Sequence, residues 1–283
     1  MYMTLIVSAE IDVIPKHDVI LPLLTSKVAK FILSKNQQIG ELIGSKKKYK
    51  ELSISPLSSN GRFLYAENDG KLLRAMRGEK LHFTFSVATS EVNEKTFDLD
   101  GDVSTSYGEF YVLLKTIYIN QLKDIRHEIK ERNVNLRFES PTLLSNKYMV
   151  PPVFKKKKVR SMNRLIPQPS LIFSFLANLW NSIADERERI VKGDLEWTPY
   201  YIGRIADVAF AEIGYSLRPV TVIIGKDNNQ RIRQARGFVG WVKYEVINVN
   251  PRYLETFERL LGLAKIFGIG RSRGIGLGRV KVE

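Results

Sequence analysis

The chain has 283 residues and a formal charge of +14, an excess that favours polyanionic partners, nucleic acid first and anionic membrane second. The absence of cysteine excludes disulfides, thiolate nucleophiles and Cys-ligated zinc or iron–sulfur centres. No run approaches the ~18 apolar residues of a membrane span, and Met1 to Ile14, alternating and carrying Glu10 and Asp12, reads as a strand rather than a signal peptide. A cytoplasmic protein with no membrane partner is expected.

The first strand is predicted over Thr4 to Ile14, ended by Pro15, and a helix over Thr25 to Ser34 follows Pro22. Val28, Phe31 and Ile32 can share its buried face, leaving Lys27 and Lys30 as an i,i+3 pair on another. A basic run, Lys46 to Lys50, leads into strand-like segments near Leu52, Phe63 and Leu81 to Thr89. The alternation of His82, Phe83, Thr84, Phe85, Ser86 and Val87 has the period of a half-buried strand. After a turn-rich acidic patch, Asp98 to Asp102, come a strand over Glu109 to Ile119 and a short helix near Gln121 to Lys130.

A second unit starts at Val134, where Val134, Leu136 and Phe138 alternate. Pro151 to Pro169, which holds Lys155 to Lys158, has no periodicity and reads as a mobile loop. Helices over Ser170 to Ala184 and Pro199 to Ile213 precede strands over Arg218 to Ile224 and Gly237 to Val246. A last helix, Pro251 to Phe267, runs through a glycine-rich loop into a closing strand, Arg279 to Val282. Strand, helix, paired strands, helix, strand is the ferredoxin-like plan. The expected fold is therefore α+β with two tandem ferredoxin-like domains, 1–133 and 134–283, although no sequence repeat links them.

Lys and Arg outnumber Asp and Glu 20 to 18 before Ser140 and 24 to 12 after it, and 14 of the later cations are Arg. The planar guanidinium suits bidentate phosphate contact better than an ammonium does. The densest feature is Phe267 to Arg279, in which Gly268, Gly270, Gly274, Gly276 and Gly278 alternate with Arg271, Arg273 and Arg279. Glycine lets backbone amides approach phosphate closely, and the arginines supply charge. A dinucleotide fingerprint follows a strand and opens a helix, whereas this loop leaves a helix and enters a strand. A Walker A loop would end in Gly-Lys-Ser/Thr, which is missing. The plainer alternative is a tight glycine hairpin with solvated arginines.

Arg231, Arg233 and Arg236 lie on a turn-to-strand stretch with cations on both faces, as a backbone-tracking strand edge would have or as an edge guarded against aggregation would have. Of three histidines, His17 beside Asp18 is the nearest candidate acid or base, while His82 and His127 read as structural. Tyr49, Trp197, Tyr200 and Tyr201 are candidates for stacking on unpaired bases.

The glycine–arginine loop resembles that of the CRISPR-associated RAMP superfamily, specifically its repeat-RNA processing endoribonucleases, which carry such a loop between the last helix and last strand of a second ferredoxin-like domain. The likeness extends through Val19-Ile20-Leu21-Pro22 with Ser26 to Lys30, through Ser140-Pro141-Thr142-Leu143-Leu144-Ser145, and through Ala235 to Trp241. Together these resemble an archaeal branch that works without the family's usual helix histidine. The resemblance implies metal-independent cleavage of CRISPR repeat transcripts, with no cofactor: the 2′-hydroxyl attacks the adjacent phosphate and leaves 2′,3′-cyclic phosphate and 5′-hydroxyl ends. It maps catalytic lysines onto Lys27, Lys30 and Lys50, and RNA contacts onto Arg231, Arg233 and Arg236 and onto Gly268, Gly270, Arg271, Arg273 and Gly274. It admits a homodimer, since some relatives pair. The alternative is a non-catalytic RAMP subunit that holds guide RNA in an interference complex, for which phosphate grip suffices.

Overall fold

The computed structural model describes residues 3–45, 47, 49–67, 72–92, 97–154, 159–226, 229–247 and 249–283. Lys155 to Lys158, and Lys46 and Lys48 of the earlier basic run, lie outside the described residues.

Strand β1 (Leu5–Pro15) is the axis of the first unit. Its alternate residues Val7, Ala9, Ile11 and Val13 are buried in one apolar core, as a period of two requires. Helices α1 (Ser26–Ser34) and α2 (Gln37–Gly44) supply Val28, Ala29, Ile32, Leu33, Ile39 and Ile43 to the same core. The chain then adds β2 (Leu52–Ile54), β3 (Leu81–Thr89), β4 (Gly101–Thr105) and β5 (Gly108–Gln121). The spatial order β3-β1-β5-β4 is antiparallel throughout, and β2 pairs with β3. Helix α2 has no counterpart in the pattern of the sequence. Its eight residues include two glycines, and what starts it is local: the Asn36 side chain accepts from the amide of Ile39 at 3.2 Å.

The second unit follows the split β-α-β plan. Strand β6 (Asn133–Thr142), helix α3 (Pro169–Ile183), helix α4 (Thr198–Ala209), the hairpin β7 (Phe210–Lys226) and β8 (Ile232–Val246), helix α5 (Pro251–Phe267) and strand β9 (Val280–Val282) give the sheet order β7-β8-β6-β9. Helix α3 is apolar on nearly every side because it lies between the sheet and the other helices.

Three expectations need correction. Phe31, expected on the buried face of α1, is exposed, and Ala29 and Leu33 complete that face with Val28 and Ile32. The helix predicted to reach Ile213 ends at Ala209, and β7 begins at once. Phe210 is held among Phe173 and Phe257, with ring centroids 4.7 and 5.0 Å away, and Gly214 leaves room for the Trp241 ring, 3.5 Å from where a Cβ would stand. Tertiary packing overrides local propensity there. The helix expected near Gln121 to Lys130 is a 3₁₀ turn, Leu122–Asp124, followed by extended chain. Glu258 of α5 explains it, because its carboxylate accepts from the Ile129 amide at 2.9 Å and its backbone carbonyl from the His127 amide at 2.9 Å. Those donors are thereby withheld from a helix.

A small apolar cluster of Leu24, Leu143, Val220, Val222 and Leu277 joins the two units. Arg218 of β7 adds a bidentate pair to Glu67, at 2.6 and 2.7 Å. No helix among the described residues is long and apolar enough to cross a membrane.

Candidate active site and RNA interface

The segment 268–279 is not an open phosphate cradle. It threads between the units and is pinned on both sides. The Ile269 amide donates to the Gly278 carbonyl at 2.8 Å, and the amides of Arg271 and Gly278 donate to the carbonyls of Leu143 and Pro141, each at 3.0 Å. The Ser140 hydroxyl accepts from the Arg279 amide at 2.9 Å. Across the junction, the Ser26 hydroxyl of α1 donates to the Ile275 carbonyl at 2.6 Å. Segments far apart in the chain, 26, 140–143 and 268–279, thus form one structure.

The glycines follow from that crowding. Gly268 has φ +76 and a Cβ there would collide with the Gly278 carbonyl, while at Gly270, with φ +91, it would stand 2.6 Å from the Leu143 oxygen. Gly274 is different: φ is ordinary and the nearest atom to a Cβ, on Leu52, is 3.4 Å away. Gly268 and Gly270 serve backbone geometry, and the glycine at 274 is not demanded by it.

The arginines divide as sharply. Arg271 is exposed on the rim of a cleft of about 600 Å³, its guanidinium 3.4 Å from the Ser161 hydroxyl. Arg273 is buried beneath that rim. Its guanidinium donates to the carbonyls of Phe267, at 3.3 Å, and Lys50, at 3.0 Å, and lies over the rings of Phe175 and Phe267. Burial lowers its pKa to about 10, so it stays charged at neutral pH. Although it borders the cleft, its hydrogen bonds tie the loop to the first unit.

Lys30 and Lys50 line the same cleft from the first unit, facing Arg271 and Gly274 from the second. Lys30 is placed by α1, whose buried stripe leaves it at the edge. The Lys50 ammonium donates to the Ile43 carbonyl near the end of α2 at 2.7 Å. Its pKa is lowered, first by burial and then by the neighbouring Lys30 charge. Lys27 is not in the cleft lining. One turn earlier on α1, its ammonium points toward the β7–β8 hairpin, 3.4 Å from where a Cβ on Gly225 would stand. Gly225 pairs with Arg233, and Arg231, Arg233 and Arg236 are all exposed on this hairpin. The cationic residues therefore form two groups flanking α1: Lys30, Lys50 and Arg271 in the cleft, and Lys27 with the hairpin arginines.

None of the three histidines lines the cleft. His17 is exposed on the turn after β1; His82 is hydrogen-bonded to the fully buried Asp12, which also meets Lys80 at 2.9 Å; burial lowers the pKa of His127. Trp197, Tyr200 and Tyr201 pack on one another at 5.5 to 5.9 Å between centroids, outside the cleft, whereas Tyr49 lines it. Lys147, Tyr148 and Ser161 also line the cleft, and sequence reasoning missed them. Tyr148 had a readable signal, following closely on the Ser140 to Ser145 motif, but Ser161 is brought in by a loop without periodicity.

A split β-α-β domain beside a second antiparallel sheet, with a glycine loop facing lysines across a cleft, is the arrangement that the resemblance to the RAMP superfamily implies. In agreement, the family model of the Cas6 N-terminal domain matches residues 7–120 and that of CRISPR-associated endoribonuclease Cas6 matches residues 136–280. The chain is 33% identical over 289 residues to CRISPR-associated endoribonuclease Cas6 1 of Saccharolobus solfataricus, covering 99% of this chain and 97% of the relative, and 32% identical to Cas6 2 of that organism over equal shares. Among solved structures, a Cas6 product complex aligns over 100% of both chains with a TM-score of 0.64 at 16% identity. Thermus thermophilus Cas6 aligns over 100% of this chain and 99% of its own, with a TM-score of 0.59 at 15% identity. The chain belongs to the CRISPR-associated endoribonuclease Cas6 family, with the tandem ferredoxin-like fold of its structural relatives. It is accordingly an endoribonuclease.

Proposed function

We propose that the cleft between 1–133 and 134–283 cuts CRISPR repeat transcripts without a metal ion. The 2′-oxygen forms a bond to the adjacent phosphorus as its proton leaves, the bond from phosphorus to the 5′-oxygen breaks, and that oxygen takes up a proton. The products carry a 2′,3′-cyclic phosphate and a 5′-hydroxyl. The observation that carries this reading is the meeting of Lys30, Lys50 and Arg271, from three segments and two units, around one cleft.

Charge building on a phosphorane-like transition state is stabilised by fixed cations in a partly desolvated site. Lys30 and Lys50 supply it in this reading. Lys50, with its lowered pKa, is also the better donor of a proton to the leaving oxygen. Lys27, Arg231, Arg233 and Arg236 hold the strand along the hairpin beside the cut. Arg271 fixes the phosphate backbone at the opposite rim, and Arg273, with Gly268 and Gly270, keeps the loop in shape for it. The base that removes the 2′-proton is left unassigned. Cytoplasmic residence and pairing into a homodimer are extensions of the same reading.

The test is to incubate the purified chain with labelled repeat RNA in EDTA and analyse the ends. Cleavage with a cyclic phosphate is expected, and Lys30→Ala with Lys50→Ala should slow it at least about 100-fold while binding persists. Full-rate cleavage by that variant, or cleavage abolished by EDTA, would overturn the proposal.

A further inference from the structure

Phosphate recognition accounts for the rim of the cleft and leaves its floor unexplained. Aromatic side chains reach the floor mainly by their edges: Tyr49 and Tyr148 lie with ring centroids 6.0 and 5.1 Å from Phe175, whose own ring is packed in the core beneath Arg273. A phosphodiester gains nothing from such a surface. A volume of about 600 Å³ lies in the range of sites that hold a whole small ligand rather than one phosphate group.

The polar groups on this floor match an edge rather than a charge. Tyr148 is 8% exposed, and its hydroxyl has no hydrogen-bond partner among the described residues. Burial raises its pKa, so the phenol keeps its proton and can donate. The hydroxyls of Ser145 and Ser161, 3.2 Å apart, stand at the same cleft, with the Arg271 guanidinium beside Ser161. A cleft of this size with a few neutral donors and acceptors on its floor, ringed by cations, suits the edge of an unpaired nucleobase attached to a gripped backbone.

We propose that the floor of the cleft is a seat for one nucleobase, turned out of the stack of the bound strand, with Tyr148 as the residue that hydrogen-bonds its edge. The proposal rests on the reading of the cleft as the RNA site and adds a determinant of which nucleotide stands near the cut. The Tyr148 ring also packs on Phe175, so its hydroxyl is the part to remove, and Tyr148→Phe keeps the ring.

The experiment scans the repeat with single abasic nucleotides, placed in turn at every position of an uncleavable RNA with 2′-deoxyribose throughout the cut region, and measures equilibrium affinity. One position is expected at which the missing base costs the native chain about tenfold in Kd, a penalty that shrinks at least threefold in Tyr148→Phe. Uniformly small penalties along the whole repeat, or a penalty unchanged in Tyr148→Phe, would overturn the base seat. Cleavage of the all-ribose RNA is scored separately. If it fails while the abasic penalty is found, the catalytic reading falls and the seat stands; if it succeeds with no penalty, the reverse holds.

Discussion

Arg271 and Arg273 are two residues apart in one loop and have opposite situations, which sets two measurements against each other. Replacing Arg273 by Ala removes the donors to the Phe267 and Lys50 carbonyls and the charge over two rings. A loss of about 2–4 kcal/mol in urea unfolding is expected. Arg271→Ala removes an exposed side chain, so stability should change by under about 0.5 kcal/mol. Its effect belongs in binding: affinity for single-stranded repeat RNA should fall, and the slope of log K against log salt should flatten by about 0.7 for each phosphate the side chain neutralises. An unaltered slope would remove Arg271 from the interface.

Lys50 gives a prediction in pH. Its ammonium is destabilised by burial and by the Lys30 charge, so it loses its proton at a lower pH than an ordinary lysine. A reaction that needs the ammonium therefore declines as pH rises through that lowered value. Lys30→Gln takes away the repelling charge and raises the Lys50 pKa. The alkaline limb of the residual single-turnover rate should move to higher pH, and a limb that stays put or moves lower would mean that Lys50 does not set it.

Among the elements, the loop 268–279 makes the sharpest comparison. Gly268→Ala imposes both a positive φ and a collision with the Gly278 carbonyl, and should cost about 1–3 kcal/mol or prevent folding. Gly274→Ala meets only ordinary contacts and should fold as the native chain does. Equal stability of the two variants by thermal unfolding would show that the loop is not pinned as described. The sequence could show that these positions were glycine, but which of them the backbone needed depended on Leu143 and Gly278 arriving from elsewhere.

The same distinction runs through the other elements. Strands β1 and β3 and helices α1 and α5 were legible because each buries a stripe that its apolar residues announce, and α3 because it is apolar along its length. Helix α2 rests on one cap and two buried isoleucines, too little for a pattern. The start of β7 and the extended chain after Asp124 were set by Phe173, Phe257 and Glu258, which lie far off in the sequence. Lys30, Lys50 and Arg271 were singled out from their motifs, and they line one cleft. That Lys27 turns to the hairpin, that Arg273 turns inward and that Tyr148 forms the floor needed the packed structure.

At the scale of the molecule, the apolar cluster and the Arg218–Glu67 pair join the units at one place, and a second set of contacts across the joint involves the parts that build the cleft. Ser26 at the start of α1 holds the loop that carries Arg271, and Arg273 holds the backbone of Lys50. The lysines and the arginine are thereby kept in one frame, which the proposed stabilisation of a transition state requires. Binding and turnover should then depend on both units together rather than on two additive halves.

A double-mutant cycle tests this most directly, with Lys50→Ala and Arg271→Ala alone and combined, read as single-turnover cleavage of repeat RNA in EDTA. Action on one bound phosphate segment predicts a coupling on the order of 1 kcal/mol between the two substitutions. Additive effects, with the double variant losing the simple product of the single losses, would contradict the shared cleft.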